Sequence, residues 1–281
     1  MLVSSTKFNW QEAVHTFSKC ATKYGFEPTA IRQLRSAKNV LIACSGGADS
    51  VYLLCALIAQ QEALGLRLHV AHYNHRWRGV ESAADADFVE SIAQTFELPF
   101  ICGIRSEDEV AFSETNAREI RLKFLRDSAR GSNCDFLIFG HHLDDIIETQ
   151  LQRISRGCSS EGLAAPRPVM AFEGLPTHIR PLLHLRAKDI RAALKAAAIP
   201  WREDSSNEDV NIARNALRKK ILPDIANSLN RDPAIGAARS RVLLEEDAVA
   251  LDIISRQKLP DAYKHAPALR RAALCALPTA L

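Results

Sequence analysis

Six consecutive residues, Ser45-Gly46-Gly47-Ala48-Asp49-Ser50, put two glycines, two hydroxyls and a carboxylate between an apolar run (39–44, NVLIAC) and an amphipathic stretch (51–60). A strand that feeds a Gly-Gly turn and then a helix aims backbone N–H groups at one point, with the positive end of the helix behind it. The result is an anion cradle suited to phosphate. Its glycines adopt torsions that a Cβ forbids and let an oxyanion come close. Asp49, at the exit of the turn, is placed to hold a metal on the bound anion. The spacing is neither GxxxxGK[ST] nor GxGxxG, so neither the Walker loop nor the dinucleotide turn is present here.

Gly140-His141-His142-Leu143-Asp144-Asp145, followed by Glu148-Thr149, is the second constellation. A helix opening near Leu143 places Asp144, Asp145 and Glu148 in its first turns, where the dipole favours carboxylates. Asp145 and Glu148 are three apart and can face one site, and carboxylate with phosphate oxygen is the ligand set that Mg²⁺ prefers. Simple acidic capping of that helix is the competing reading. Arg118 and Arg121 share a helix face that can aim at phosphate. A fourth group, His72-Tyr73-Asn74-His75 with Arg78, Glu81 and Ser82, ends an apolar run and suggests substrate or nucleotide contacts.

These groups need a scaffold that brings them to one edge. Strands are expected at 40–44, 66–73, 100–104 and 134–139, with helices near 9–24, 51–63, 82–97, 114–130 and 143–155. Alternation of apolar strands with helices implies a doubly wound α/β fold, its parallel sheet covered on both faces. Ligands in such sheets collect at the carboxyl ends of the strands, where both the Ser45–Ser50 turn and the His141–Asp145 run fall. Residues 157–176, dense in Gly, Pro and Ser, read as a loop. A helix over 185–198 ends at Pro200, a basic helix over 211–221 is stopped by Pro223, and the pattern from 224 onward is helical.

The 281 residues suit one large domain with an extension, and 47% hydrophobic residues exclude a disordered chain. No apolar run has the length of a membrane span, and the N-terminus shows no secretory signal, so a cytoplasmic protein without membrane attachment is expected. Seven cysteines without a CxxC read as buried thiols. Net charge is only +3, yet residues 180–241 carry 13 Lys or Arg against 7 Asp or Glu. A polyanionic partner and a solvated basic face both fit that block.

The hexapeptide resembles the SGGxDS loop of the N-type ATP pyrophosphatases, the PP-loop enzymes. The four constellations in this order, with Arg156-Gly157, Glu161-Gly162-Leu163, Arg180-Pro181-Leu182-Leu183, Trp201-Arg202-Glu203-Asp204, Asn207, Asp209, Arg214-Asn215 and Arg218, are similar to the tRNA(Ile)-lysidine synthetase family. The resemblance runs from about residue 40 to 223. Arg76 and Trp77 depart from it by standing where the family often has Gly-Leu, and Ser205 by replacing a common Pro.

The resemblance implies an adenine nucleotide alpha hydrolase-like fold with a C-terminal helical extension. It divides the chain into an N-terminal helical extension (1–36), an ATP pyrophosphatase domain (37–200) and a basic helical tRNA-binding region (201–281). It also implies ligation of free lysine to C2 of the wobble cytidine of a CAU-anticodon isoleucine tRNA, with ATP as co-substrate and Mg²⁺ as cofactor. On that reading Ser45, Gly46, Gly47, Ala48, Asp49 and Ser50 bind ATP, and Asp49 and Asp145 hold the metal. Arg118, Arg121, His141 and Glu148 join them in catalysis, while Arg214, Arg218, Lys219 and Lys220 contact tRNA. A homodimer stays open. The rival readings are another PP-loop enzyme, such as a tRNA thiolase or an amidotransferase-type synthetase, and a non-catalytic nucleotide- or RNA-binding protein.

Overall fold

A computed structural model describes residues 8–21, 25–76, 79–105, 114–203 and 212–258. The described residues fall into two compact units: those up to Asp144 together with those between Pro168 and Asn215 form one, and those between Asp145 and Arg167 together with those from Ala216 onward form the other. The expected motif positions 77–78 and 204–211, and the chain beyond 258, lie outside the described residues.

The first unit is built on a six-stranded sheet: β1 (Asn39–Ala43), β2 (Arg67–Asn74), β3 (Phe100–Ile104), β4 (Phe136–Ile138), β5 (Val169–Phe172) and β6 (Leu175–Ile179). Their order is β3-β2-β1-β4-β6-β5, parallel throughout except for β5 against β6. Strand β1 shows why the fold is two-sided. Val40 and Ile42 enter one core, with Trp10 and Phe17 of α1 (Trp10–Ala21), Leu53 and Leu57 of α3 (Ala48–Leu64) and Leu194 of α8 (Ala187–Ala196). Leu41, pointing the other way, joins Leu125 and Ala129 of α5 (Glu114–Gly131). Alternate residues of one strand thus serve opposite faces, and the strand reads as continuously apolar. Asn9 caps α1 as expected, its Oδ1 accepting from the Glu12 N–H at 3.1 Å.

The chain winds one way through β1, β2 and β3 and the other way through β4. The order therefore reverses between β1 and β4, which pair directly from Val40↔Phe136 to Ile42↔Ile138. Both chemistry-bearing turns leave from those two carboxyl ends. Such a switch point is where open α/β sheets bind ligands.

Three expectations change. Residues 157–176 are not one loop: they contain a short α7 (Ser160–Leu163), all of β5 and the start of β6. The hairpin turns at Glu173-Gly174, with Gly174 at φ +64, and its strands are too short for their alternation to stand out among so many turn formers. A further helix, α2 (Pro28–Leu34), begins at a proline and is capped by the Glu27 carboxylate. Pro223 does not stop the basic helix. A turn of α9 (Ala213–Ala216) passes into a π-helical turn (Leu217–Ile221), and α10 (Leu222–Leu229) follows with the proline in its first turn, where no N–H is required.

The second unit holds α7, the π turn, α10, a long α11 (Pro233–Lys258) and all but the first two residues of α6 (Leu143–Ile154). The Gln150 side chain ties it internally, donating to the Leu163 carbonyl at 3.0 Å and the Ala237 carbonyl at 3.3 Å. Among the described residues no helix is long and apolar enough to cross a membrane.

Candidate active site

The Ser45–Ser50 turn connects β1 to α3 as the sequence predicts. Gly46 has φ +88, in the left-handed region that a Cβ resists, and Gly47 is the N-cap of α3. The Ser50 hydroxyl donates to the Gly47 carbonyl at 2.9 Å and accepts from the Ser45 N–H at 3.2 Å. This ring of bonds rounds the turn and leaves the start of α3 facing its hollow. Ser45 Oγ lies 3.2 Å from Ser50 Oγ, so both hydroxyls line the same side. Burial of Cys44, directly before the turn, pushes its thiol up to about 11, and it stays a neutral packing residue.

The exit of β4 presses against this turn. A Cβ on Gly140 would stand 2.8 Å from the carbonyl oxygen of Asp49, so only glycine lets the two segments lie together. Two residues on, His142 is 1% exposed and brings Nε2 to 3.5 Å from Asp49 Oδ2 and Nδ1 to 3.5 Å from Asp144 Oδ2. Asp144 is already engaged: it accepts from the Ala187 N–H at the start of α8 at 2.8 Å and pairs with Arg186 at 2.7 Å. Its role is to fix the β4 exit to α8.

His142 was not singled out from the sequence, where His141 was preferred. The signal was strand alternation: His142 pairs with Leu182 in an isolated parallel bridge, so His141 and His142 face opposite ways. His141 is half-buried beside Phe139, their ring centroids 5.6 Å apart.

Asp49 Oδ1 is buried and accepts no hydrogen bond within the described structure. A buried carboxylate oxygen left without a donor beside a phosphate-shaped turn fits a divalent cation that arrives with phosphates. Among the described residues no three His, Cys, Asp or Glu side chains gather to hold a metal alone, which leaves phosphate oxygens and water as the other ligands.

The ends of β2 contribute mostly architecture. His72 Nδ1 lies 2.9 Å from the Cys44 carbonyl, and the Asn74 amide donates to the Ser82 carbonyl at 3.1 Å. Asn74 Oδ1 accepts from the Arg76 N–H at 2.8 Å, and Arg76 takes φ +57, the torsion that the family's glycine would adopt freely. His75, against Tyr73, has its pKa lowered to about 4, by burial first and then by Arg121, His72 and Arg105. Arg118 and Arg121 are exposed on α5.

Within the second unit, Glu148 is 1% exposed and receives a two-pronged bond from Arg218, Nε to Oε1 at 2.7 Å and Nη2 to Oε2 at 3.1 Å. Asp145, also buried, lies 3.7 Å from the same Nη2. The guanidinium of Arg218 therefore faces carboxylates. Lys219 and Lys220 are exposed on the π turn, and Arg214, which belongs to the first unit, is half-buried.

A PP-loop domain model matches residues 18–225. A tRNA(Ile)-lysidine synthase of Solibacter usitatus is 41% identical over 69% of this chain and 42% of its own length. Another, from Thermosynechococcus vestitus, is 31% identical over 86% of this chain and 70% of its own. The chain thus spans less than half of the first relative and somewhat over two thirds of the second. Among solved structures, the U34-tRNA thiolase NcsA from Methanococcus maripaludis superposes with a TM-score of 0.63 at 16% identity, covering 81% of this chain and 80% of that one. The fold is the PP-loop, adenine nucleotide alpha hydrolase-like one, with its sheet mostly parallel and a C-terminal helix beyond.

Proposed function

The chain belongs to the PP-loop family, in its tRNA(Ile)-lysidine synthase branch, and from that premise we propose that it joins lysine to the wobble cytidine of a CAU-anticodon isoleucine tRNA at the expense of ATP. The observation that carries the reading is the Ser45–Ser50 turn at the β1–β4 switch point, with an unsatisfied Asp49 oxygen beside it.

In the first step the C2 carbonyl oxygen of the cytidine attacks the α-phosphorus, and pyrophosphate leaves as the adenylated base forms. The N–H groups at the head of α3 and the Ser45 and Ser50 hydroxyls receive the growing charge on the leaving group. Asp49 and Asp145 are assigned to Mg²⁺, which would neutralise phosphate charge. His142 orients Asp49 from behind. Arg118 and Arg121 are assigned to the charge that develops on the α-phosphoryl group.

In the second step the lysine ε-amine attacks C2 and AMP departs, carrying the original carbonyl oxygen. The amine must first lose a proton, since its ordinary pKa is near 10.4. Glu148 or His141 is assigned to that transfer and to holding the ammonium group. Lys219 and Lys220, with Arg214, are assigned to tRNA phosphates, and Arg218 to the same basic segment while its guanidinium orders Glu148. The chemistry belongs to a cytoplasmic protein. The test is AMP release: it should require both the tRNA and lysine for full turnover, and ATP cleavage that ignores the tRNA would point to another PP-loop reaction.

A further inference from the structure

We propose that Asp85 and Arg202 form a clamp that holds the Gly46–Gly47 peptide in its phosphate-accepting orientation, which makes Arg202 a positioning residue for the nucleotide. The proposal rests on the ATP-binding reading of the turn. Arg202 approaches the turn twice. Its backbone N–H donates to the Gly46 carbonyl at 2.9 Å, and its Cγ lies 3.4 Å from where a Gly46 Cβ would stand. The guanidinium then reaches α4 (Val80–Thr95), where Nε donates to Asp85 Oδ1 at 2.7 Å. Asp85 is only 6% exposed, so the anchor is fixed in the protein body.

The consequence follows from peptide geometry. In a planar trans peptide the carbonyl of one residue and the N–H of the next point in opposite directions. Drawing the Gly46 carbonyl onto Arg202 therefore turns the Gly47 N–H back into the turn. There its nearest partner is Ser45 Oγ at 3.5 Å, a contact long enough to yield to a phosphate oxygen. A flipped peptide would present a carbonyl oxygen to the phosphate instead, converting an attraction into a repulsion. Gly46, at φ +88 and without a Cβ, has little intrinsic resistance to such a flip. The restraint must come from outside the turn, and among the described contacts the Arg202 amide supplies it.

The test is calorimetric binding of ATP with Mg²⁺ to the whole chain, in wild type, Arg202→Ala, Arg202→Lys, Asp85→Asn and the Arg202→Ala/Asp85→Asn double variant. Without the side-chain anchor the Arg202 main chain no longer holds the Gly46 carbonyl, and the loss of a fixed orientation for the Gly47 N–H should weaken ATP binding about tenfold in either Arg202→Ala or Asp85→Asn. The double variant should lose no more than either single one, because both remove the same link. Arg202→Lys, which can still reach Asp85, should recover most of the affinity. Melting temperatures separate this from general damage, and the nearly isosteric Asp85→Asn keeps the test open if Arg202→Ala folds poorly. Wild-type affinity in the single variants, or losses that simply add in the double, would overturn the clamp and leave the ATP-binding reading standing. A wild-type chain that binds no ATP would remove both.

Discussion

Replacing Gly140 by alanine places a methyl group 2.8 Å from the Asp49 carbonyl oxygen, 3.0 Å from its carbon and 3.2 Å from the Ser50 nitrogen. All three are backbone atoms of the first turn of α3, so no side chain can swing away. Relief to ordinary contact needs a shift of about 0.6 Å between the β4 exit and α3, and overpacking of this kind costs about 1–3 kcal/mol. The melting temperature should fall by about 2–10 °C. The displaced atoms belong to the first turn of α3, whose N–H groups are proposed to meet the phosphate, and a misplacement of about 1 Å costs on the order of 100-fold. ATP affinity should therefore fall about tenfold or more at temperatures where the variant is fully folded. Gly131→Ala is the control: a Cβ there meets nothing within 4 Å, so melting should not fall and ATP binding should not move. Calorimetry and thermal unfolding read both effects. A Gly140→Ala protein that melts and binds ATP like the wild type would refute the close approach of the two segments.

Asp49→Ala and Asp145→Ala should each cut AMP formation by on the order of 100-fold or more with the fold intact by circular dichroism, and unchanged turnover would dismiss the metal assignment. Arg218→Ala removes the two-pronged bond to the buried Glu148 carboxylate and should destabilise the protein by about 3–5 kcal/mol in urea unfolding, while Lys219→Ala should be nearly neutral. Lys219→Ala/Lys220→Ala should lower the salt slope of tRNA binding by about 0.7 per lysine without changing ATP affinity, measured by filter binding across salt concentrations. His178 is held neutral, its pKa lowered to about 3 by burial first and then by Arg180 and Arg126. The unfolded chain takes up a proton near the ordinary value of about 6.5 and the folded chain does not, so stability should fall as pH drops from there toward 3. His178→Phe should flatten that fall, and an unchanged pH profile of melting would contradict it.

The sheet was legible because its strands are buried on both faces and read as apolar blocks between helices: β1 and β3 fall within a residue of their expected limits. Strand β5 and the start of β6 were hidden by Gly174, Pro168 and Pro176, since turn formers outweigh two short strands, and it is their pairing with each other and of β6 with β4 that gives them a reason to be strands. The Ser45–Ser50 turn was legible because each residue type in it has a local function. His142, Asp85 and Gly140 were harder: their parts depend on atoms up to about a hundred positions away. Arg218 shows the limit of charge counting. It sits in a basic run, yet its guanidinium turns to the buried Glu148, a choice fixed by packing within the second unit.

The most direct test of the account is mass spectrometry of nucleosides from a CAU-anticodon isoleucine tRNA after incubation with the protein, ATP and Mg²⁺. With lysine present, the wobble cytidine should gain the mass of lysine less water, and neither ammonia nor sulfide should replace lysine. A modified nucleoside that forms without lysine, or one that carries sulfur, would contradict the proposed reaction.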